Sequence, residues 1–240
     1  MQERLKTRAE LKREVKNLYH GQWITAIKLN LIPIILAIIM RMVLILAGIG
    51  IVALFSYFSS AKMGGSTNYN YGARSGGSLI WSLVVVLINM SIMFTTIDWL
   101  RTKEHPDKLM QGAFSVFSKR YFLGALVIEI LTYIFVFLWS LLLIIPGIVK
   151  QYSYSQASYI FKDLTDQNPN SDISYFDCIT RSRQLMKGQK WRLFVLQLSF
   201  LGWEILNLIV LGFGSIWLKP YENATYAAFY KDLSANLTLE

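Results

Sequence analysis

The fold class is decided by residues 121–145, YFLGALVIEILTYIFVFLWSLLLII, in which Glu129 is the only charged side chain. A helix needs about 20 predominantly apolar residues to cross the ~30 Å hydrocarbon core of a bilayer, and this stretch exceeds that length. The Pro146-Gly147 pair that follows it predicts a helix stop and a sharp reversal. We interpret this stretch as a membrane-spanning α-helix.

Similar apolar stretches recur along the chain, in which 54% of the 240 residues are hydrophobic and 16% are charged. Soluble domains carry about 25% charged residues. The charges cluster between stretches that are almost free of charge, a pattern typical of membrane spans. The predicted fold is therefore all-α: a polytopic transmembrane helical bundle of about six membrane helices, formed by residues 23–240. Its spans are predicted at about 24–58, 79–100, 121–145, 148–161, 193–213 and 217–231.

Residues 1–22 predict an amphipathic helix. Leu11, Val15, Leu18 and Tyr19 fall at helical spacing among six Lys and Arg side chains. Such a helix would lie in the membrane interface, and a solvated charged helix is the competing interpretation. Segments 148–161 and 217–231 are short and polar for membrane helices, so we expect the other helices to shelter them from lipid.

The distribution of cations predicts the orientation. Most of the 24 Lys and Arg residues lie in the N-terminal tail, in the connector 101–120 and in residues 163–192. The positive-inside rule then predicts a multi-pass protein with both termini in the cytoplasm. This assignment puts Lys62, Arg74, Lys150 and Lys219 on the opposite face. It also accounts for the net charge of +9 without nucleic-acid binding, since no zinc-ligand spacing or RNA-binding signature is present.

Ionisable residues at membrane depth are costly and are the first candidates for a functional site. A rise of 1.5 Å per residue puts Arg41, Glu129, Glu204 and Glu222 in one mid-membrane layer on four helices. The polar fourth segment adds Lys150 and Gln156. The functional hypothesis is a pathway or cavity for a proton, a cation or a lipid headgroup. The structural alternative is an ion pair between Arg41 and one carboxylate, with the other carboxylates protonated or facing a crevice.

Two further constellations lie in the longest hydrophilic stretch, residues 162–192. A basic helix carries candidate contacts for anionic lipid headgroups, or it is an ordinary topology signal. Its cations are Arg181, Arg183, Lys187, Lys190 and Arg192. Upstream of it, five oxygen-bearing residues have the spacing of a weak calcium loop: Asp166, Asn168, Asn170, Asp172 and Asp177. The alternative is a turn in which Ser171 or Asp172 caps the following helix.

Several strings in the second half of the chain occur together in one known family. They are LLIIPGIVK (142–150), RSRQLMKGQKW (181–191), LSFLGW (198–203) and PYENATYAAFY (220–230). In this order they resemble the bacterial integral membrane family called domain of unknown function 975, which is distantly similar to membrane domains of glycerophosphodiester phosphodiesterases. The resemblance implies a helical membrane fold in the bacterial cell membrane. It implies no activity, because the family is uncharacterised.

No nucleophile elbow, His-Glu-x-x-His motif or phosphate-binding glycine loop is present, and a single cysteine, Cys178, excludes an intrachain disulfide. We therefore expect no enzymatic activity, no metal and no cofactor. The predicted function is binding of membrane lipids or of a membrane-protein partner, in membrane or envelope homeostasis. The alternative is a small transporter or channel that uses the buried Arg and Glu residues. No inverted repeat is visible to support that alternative.

Overall fold

The computed structural model describes residues 4–35, 38–39, 50, 75–103, 112–167 and 173–236. Every regular element in these ranges is helical, which confirms the predicted all-α class. The helices are α1 (Arg8–Tyr19), α2 (Trp23–Ile35), α3 (Ser75–Thr102), α4 (Phe122–Leu142), α5 (Ile144–Tyr154), α6 (Ala157–Gln167), α7 (Tyr175–Leu185), α8 (Lys190–Ile209) and α9 (Ser215–Asn236). A short 3-10 turn, Ser115–Phe117, precedes α4.

Helix α1 begins with a reciprocal cap. Glu10 N donates to Thr7 Oγ1 at 3.4 Å, and Thr7 N donates to Glu10 Oε2 at 2.6 Å, so two amides of the first turn are satisfied. The apolar side chains Leu11, Val15 and Tyr19 are buried against protein, chiefly against α9. The predicted helix is therefore present, and its apolar face contacts other helices. Its position in a membrane interface stays a prediction.

The reversal after α4 differs from the prediction. Helix α4 ends at Leu142, Leu143 is extended (φ −161°, ψ 144°), and Pro146 and Gly147 lie in the first turn of α5. Proline is tolerated in a first turn because its missing N–H would have no intrahelical acceptor there. A Cβ on Gly147 would lie 2.2 Å from Ser140 Oγ, so glycine is required for the close approach of α5 to α4.

The predicted fourth segment, 148–161, is replaced by two helices, α5 and α6, which are separated at Ser155-Gln156. Each has 11 residues, or roughly 16 Å, about half of a bilayer core. The predicted second, fifth and sixth helices are present as α3, α8 and α9, with bounds shifted by two to five residues. Helix α9 begins before Trp217, so Pro220 lies in its second turn. Of the predicted first span, most of 36–58 lies outside the described residues.

Three helices are long and apolar enough to cross a membrane: Val84–Thr102, Phe122–Leu141 and Lys190–Ile209. Trp23–Ile35 is a shorter apolar helix. Among the described residues, the predicted count of about six membrane helices is matched only roughly. Of these three helices, Val84–Thr102 is the most enclosed, with 56% of its span buried against 17% and 22% for the other two.

The core lies where α9 crosses α3 and α1 covers α9. Ala224, Thr225, Ala227 and Ala228 have no exposed surface, and their small side chains allow close helix packing. We call the packed region α1, α6 and α7 together with residues 94–102 of α3 and 220–233 of α9, because most of the buried large side chains lie there. Two helical hairpins, α4–α5 and α8–α9, extend from this region.

Candidate functional site

A buried ammonium group joins α3 to α6. Lys162 is 3% exposed, and its Nζ donates to Asp98 Oδ1 at 2.6 Å and to Asp166 Oδ2 at 2.7 Å. Burial alone would raise the pKa of Asp166, but the hydrogen bonds from Lys162 and Tyr121 outweigh it and lower that pKa below 3.8. Beside this cluster, Arg101 makes a two-pronged ion pair with Asp163 at 2.6 and 2.8 Å. These contacts fasten the elements of the packed region to one another.

A second cluster holds the N-terminal segment. The side chain of Arg192 contacts the Asp232 carboxylate and the carbonyl oxygen of Lys6, and Lys6 N donates to both Asp232 oxygens at 3.1 and 3.2 Å. Lys231 Nζ lies 2.9 Å from Glu14 Oε1. Burial opposes ionisation of Glu14, but Lys6 and Lys231 outweigh it and lower the pKa of Glu14. The segment is thereby tied to both α8 and α9.

Two of the predicted membrane-depth carboxylates share one cation. Lys219 Nζ contacts Glu204 and donates to Glu222 Oε2 at 2.9 Å. Lys219 precedes Pro220, whose carbonyl oxygen accepts from Tyr19 of α1 at 3.2 Å. The partner of Glu204 and Glu222 is therefore Lys219, which the sequence interpretation had assigned to the opposite face.

Two other predicted residues, Glu129 and Gln156, lie at a second location. Glu129 and Gln156 both face a cavity of about 340 Å³ where α3, α4, α8 and α9 meet the break between α5 and α6. Glu129 Oε1 accepts from Ser158 Oγ at 3.1 Å, and within the described ranges no Lys or Arg forms an ion pair with it. Gln156 is 3% exposed, and its Oε1 has no partner among the described residues. Asn223 and Gln197 add further polar groups.

A groove of about 540 Å³ lies between α1, α8 and α9. Lys12 lies at one end, where its Nζ is 3.9 Å from the centre of the Phe200 ring and donates to Ser199 O at 3.4 Å. From there the groove follows one face of each helix of the α8–α9 hairpin. The lining residues on these faces are Trp203, Leu206, Asn207 and Val210 on α8, and Tyr221, Leu218, Trp217 and Gly214 towards and across the start of α9. Lys16 and Trp23 complete it.

Electrostatics make the Lys12 end of this groove receptive to an anion. The pKa of Lys12 is lowered, first by burial and then by repulsion from Arg8 and Lys16, while Glu222 partly offsets the effect. No carboxylate among the described residues forms an ion pair with Lys12 or Lys16. An anion bound here would favour the charged form of Lys12 and would meet two cations at the mouth of an apolar channel.

The structure separates the remaining candidates. Arg41 lies outside the described residues, so its predicted pairing is not tested. Lys150 stands apart from both carboxylate groups, with its Nζ 4.2 Å from the centre of the Trp139 ring. The five predicted residues that the structure describes therefore do not form one cluster: Glu129 and Gln156 share the cavity, Glu204 and Glu222 share Lys219, and Lys150 packs on an aromatic ring.

The predicted lipid contacts also divide. Arg181, Arg183 and Lys187 are exposed and Lys190 is half-buried, so these four are free to meet headgroups. Arg192 is held by Asp232 and the Lys6 carbonyl, and it has a structural role. Lys12 and Lys16 were not predicted as site residues, because the positive charge of residues 1–22 was attributed as a whole to an interfacial helix. The spacing of Lys219 and Glu222 at i,i+3, and of Lys162 and Asp166 at i,i+4, was the available signal for the ion pairs.

The calcium hypothesis gains nothing from the described residues. Asn168, Asn170 and Asp172 lie outside them, and Asp166 is already bound by Lys162 and Tyr121. No group of three or more His, Cys, Asp or Glu residues suited to a metal occurs in the part of the chain that the structure describes. The N-cap of α7 is Ser174, whose Oγ accepts from Asp177 N, and the predicted caps Ser171 and Asp172 lie outside the described residues.

Comparison with known proteins identifies the family. The model of the family described as Protein of unknown function (DUF975) matches residues 1–150 and 141–237. Searches of curated proteins and of solved structures gave no match. Because the two matched segments together cover nearly the whole chain, this protein belongs to the DUF975 family.

Proposed function

We propose that the protein is a non-enzymatic membrane protein that binds anionic lipids of the bacterial cell membrane. The groove between α1, α8 and α9 carries this proposal, because it joins two cations to an apolar channel. An anionic phospholipid has the same division, with a charged headgroup and apolar acyl chains. Along α8 the lining residues run from Trp203 to Val210, roughly 10 Å.

The surroundings of the groove support a lipid over a soluble anion. Trp203, Leu206, Val210 and Trp217 are each at least half exposed, and a soluble protein rarely leaves so large a contiguous apolar patch in water. Tryptophan is enriched at the level of lipid headgroups, where its ring meets both apolar and polar surroundings. Exposed cations on α1 and α7 add attraction to an anionic membrane surface, at about 1 kcal/mol for each Lys or Arg near it.

Native mass spectrometry of the purified protein tests the proposal, with phosphatidylglycerol and phosphatidylcholine supplied in equal amounts. We expect retention of phosphatidylglycerol, and a loss of roughly fivefold in affinity for Lys12→Gln or Lys16→Gln, because each variant loses an ion pair with the bound headgroup worth about 1 kcal/mol. Arg13→Gln is the matched control, because Arg13 is an exposed cation on the same helix outside the groove.

The apolar part of the groove has its own pair of variants. Trp203→Ala removes a lining residue that is 62% exposed, and Trp191→Ala removes a tryptophan that is 72% exposed and does not line the groove. We expect lipid retention to fall for the first variant and to remain for the second. Equal losses for Lys16→Gln and Arg13→Gln would contradict the groove and would indicate attraction by net charge alone.

Transport is a second candidate function, and the cavity around Glu129 favours it. An acidic side chain without a described cationic partner, beside the unpaired amide oxygen of Gln156, offers acceptors to a proton or a small cation. Proton and cation flux in liposomes tests this candidate, with Glu129→Gln expected to abolish it and Glu204→Gln to retain it. Absence of flux in the parent protein would remove transport from consideration.

A further inference from the structure

The turns of both helical hairpins are strongly apolar and exposed. At the α4–α5 turn, Leu141, Leu143 and Ile145 are 68%, 67% and 75% exposed. At the α8–α9 turn, Leu208 and Ile209 are 68% and 70% exposed. A turn that emerged into water on the far side of a membrane would carry polar residues. These two turns therefore have the chemistry of the bilayer interior.

In the first hairpin, the basic helix α7 lies at a depth close to that of the α4–α5 turn. Phe176, at the start of the basic helix α7, is 6.3 Å from Phe135 of α4, measured between ring centres. The chain returns to the same level at the end of α5, because Ser182 Oγ of α7 donates to Ser153 O at 2.8 Å and the Tyr152 hydroxyl donates to Gln197 of α8 at 2.6 Å. Lys150 lies less than one helical turn before Ser153, so a ~30 Å hydrocarbon layer does not separate it from α7 and α8.

The second hairpin repeats this arrangement. Lys12 of α1 lies against Ser199 and Phe200 of α8. Lys219 lies beside Pro220, whose carbonyl oxygen accepts a hydrogen bond from the Tyr19 hydroxyl of α1. Helix α1 carries exposed Arg8, Arg13 and Lys16, which cannot face hydrocarbon without a large cost. The level of Phe200 and Lys219 therefore lies at or near the membrane surface that α1 contacts.

The remaining length of each hairpin is short. From Phe135 to Leu142, the end of α4, and from Phe200 to Ile209, the end of α8, a helix rises about 10–14 Å. The hydrocarbon core is ~30 Å thick, so these segments reach roughly its middle. Helices α4 and α8 as a whole are long enough to cross the membrane, but the turns at their N-terminal ends pack against the packed region.

We propose that the α4–α5 and α8–α9 hairpins are re-entrant: each enters one leaflet and returns to the face from which it came. The occupant of their exposed apolar surface is the acyl layer of that leaflet, and the cations around their bases meet its headgroups. Lys150 and Lys219 then lie on the same face as α1 and α7. This inference concerns how deeply the hairpins enter the membrane, and it does not depend on which headgroup the groove selects.

Side-specific thiol labelling in proteoliposomes tests the proposal. Single cysteines are introduced by Leu143→Cys and Ile209→Cys at the turns, and by Lys187→Cys in the exposed turn after α7 as the reference. The native Cys178 has no exposed surface, and burial raises the pKa of its thiol to about 11, so the parent protein gives a low background. We expect a membrane-impermeant maleimide to label Lys187→Cys from one side and the turn cysteines from neither side.

Fluorophores attached through a membrane-permeant reagent then report depth. Lipids with a quencher near the chain ends should quench both turn labels more strongly than lipids with a quencher near the headgroup. Labelling of the turns from the side opposite to Lys187→Cys would show complete crossing and would overturn the proposal. Labelling from the same side would show that the turns are in water, and it would overturn the proposal equally. Lipid retention in the groove is measured separately on unlabelled protein, so the two proposals fail independently.

Discussion

The packed region and the two hairpin turns follow opposite rules of construction. In the packed region, Trp99, Tyr19 and Phe229 are at most 2% exposed. Its charged residues Lys162, Arg101 and Asp232 all form ion pairs. At the turns, aliphatic side chains are half to three-quarters exposed. The first pattern is that of a protein folded in water. The second is stable only where lipid replaces water as the solvent.

This difference teaches that length and hydropathy do not locate a membrane by themselves. Helices α4 and α8 both satisfy the length of a span, yet each contacts the packed region at one end and carries an exposed apolar turn at the other. Helix α3 is more enclosed than either because its C-terminal end passes through the packed region. If the hairpins are re-entrant, the position of the ion pairs indicates the membrane surface better than the ends of the apolar stretches do.

The largest expected effect is the loss of the buried cation. Lys162→Met removes the partner of Asp98 and Asp166, and we expect a destabilisation of about 3 kcal/mol, at the low end for a broken buried pair because both carboxylates keep some exposure. Thermal unfolding in detergent measures it. Lys187→Met, at an exposed cation in the turn after α7, should change stability by about 0.5 kcal/mol or less. Equal destabilisation by the two substitutions would show that the ion pairs of Lys162 do not stabilise the packed region.

An intermediate effect is expected from overpacking α9. Ala228→Leu adds volume where α9 is fully buried, and we expect a loss of about 2 kcal/mol. Ala235→Leu makes the same change at an exposed position near the end of α9 and should be almost neutral. Unfolding by denaturant in mixed micelles compares them. Similar midpoints for both variants would mean that α9 is packed less tightly than described.

The smallest effect is expected from acid. The pKa of Glu14 is lowered, so its ionised form binds more favourably in the folded protein than in the unfolded chain. Its contribution is fully present above the ordinary pKa of 4.5 and is lost as the pH falls through the lower folded value. We expect Glu14→Gln to flatten the loss of stability in that acidic range. An unchanged pH profile would show that Lys6 and Lys231 do not hold the segment through Glu14.

The all-α class and the approximate helix positions were predictable, since the apolar stretches and the small residues of α9 determine them. The division of segment 148–161 was not, because Ser155 and Gln156 carry no local signal for the break between α5 and α6. The pairing of Glu204 with Lys219 was missed for a related reason. Counting charges by loop assigned Lys219 to the opposite face, although its i,i+3 spacing from Glu222 indicated an ion pair. The groove depends on three separate helices, and no single stretch predicts it.

The most direct test of the contrast between the two regions is the accessibility of spin labels in reconstituted bilayers. Labels at Leu138 and Leu208 should collide with oxygen, which concentrates in lipid, and labels at Lys187 and Asn17 should collide with a water-soluble nickel complex. All four positions are exposed on the protein surface, so protein contacts do not obscure the comparison. Preferential nickel accessibility at Leu138 and Leu208 would place the hairpins in water and would contradict the account.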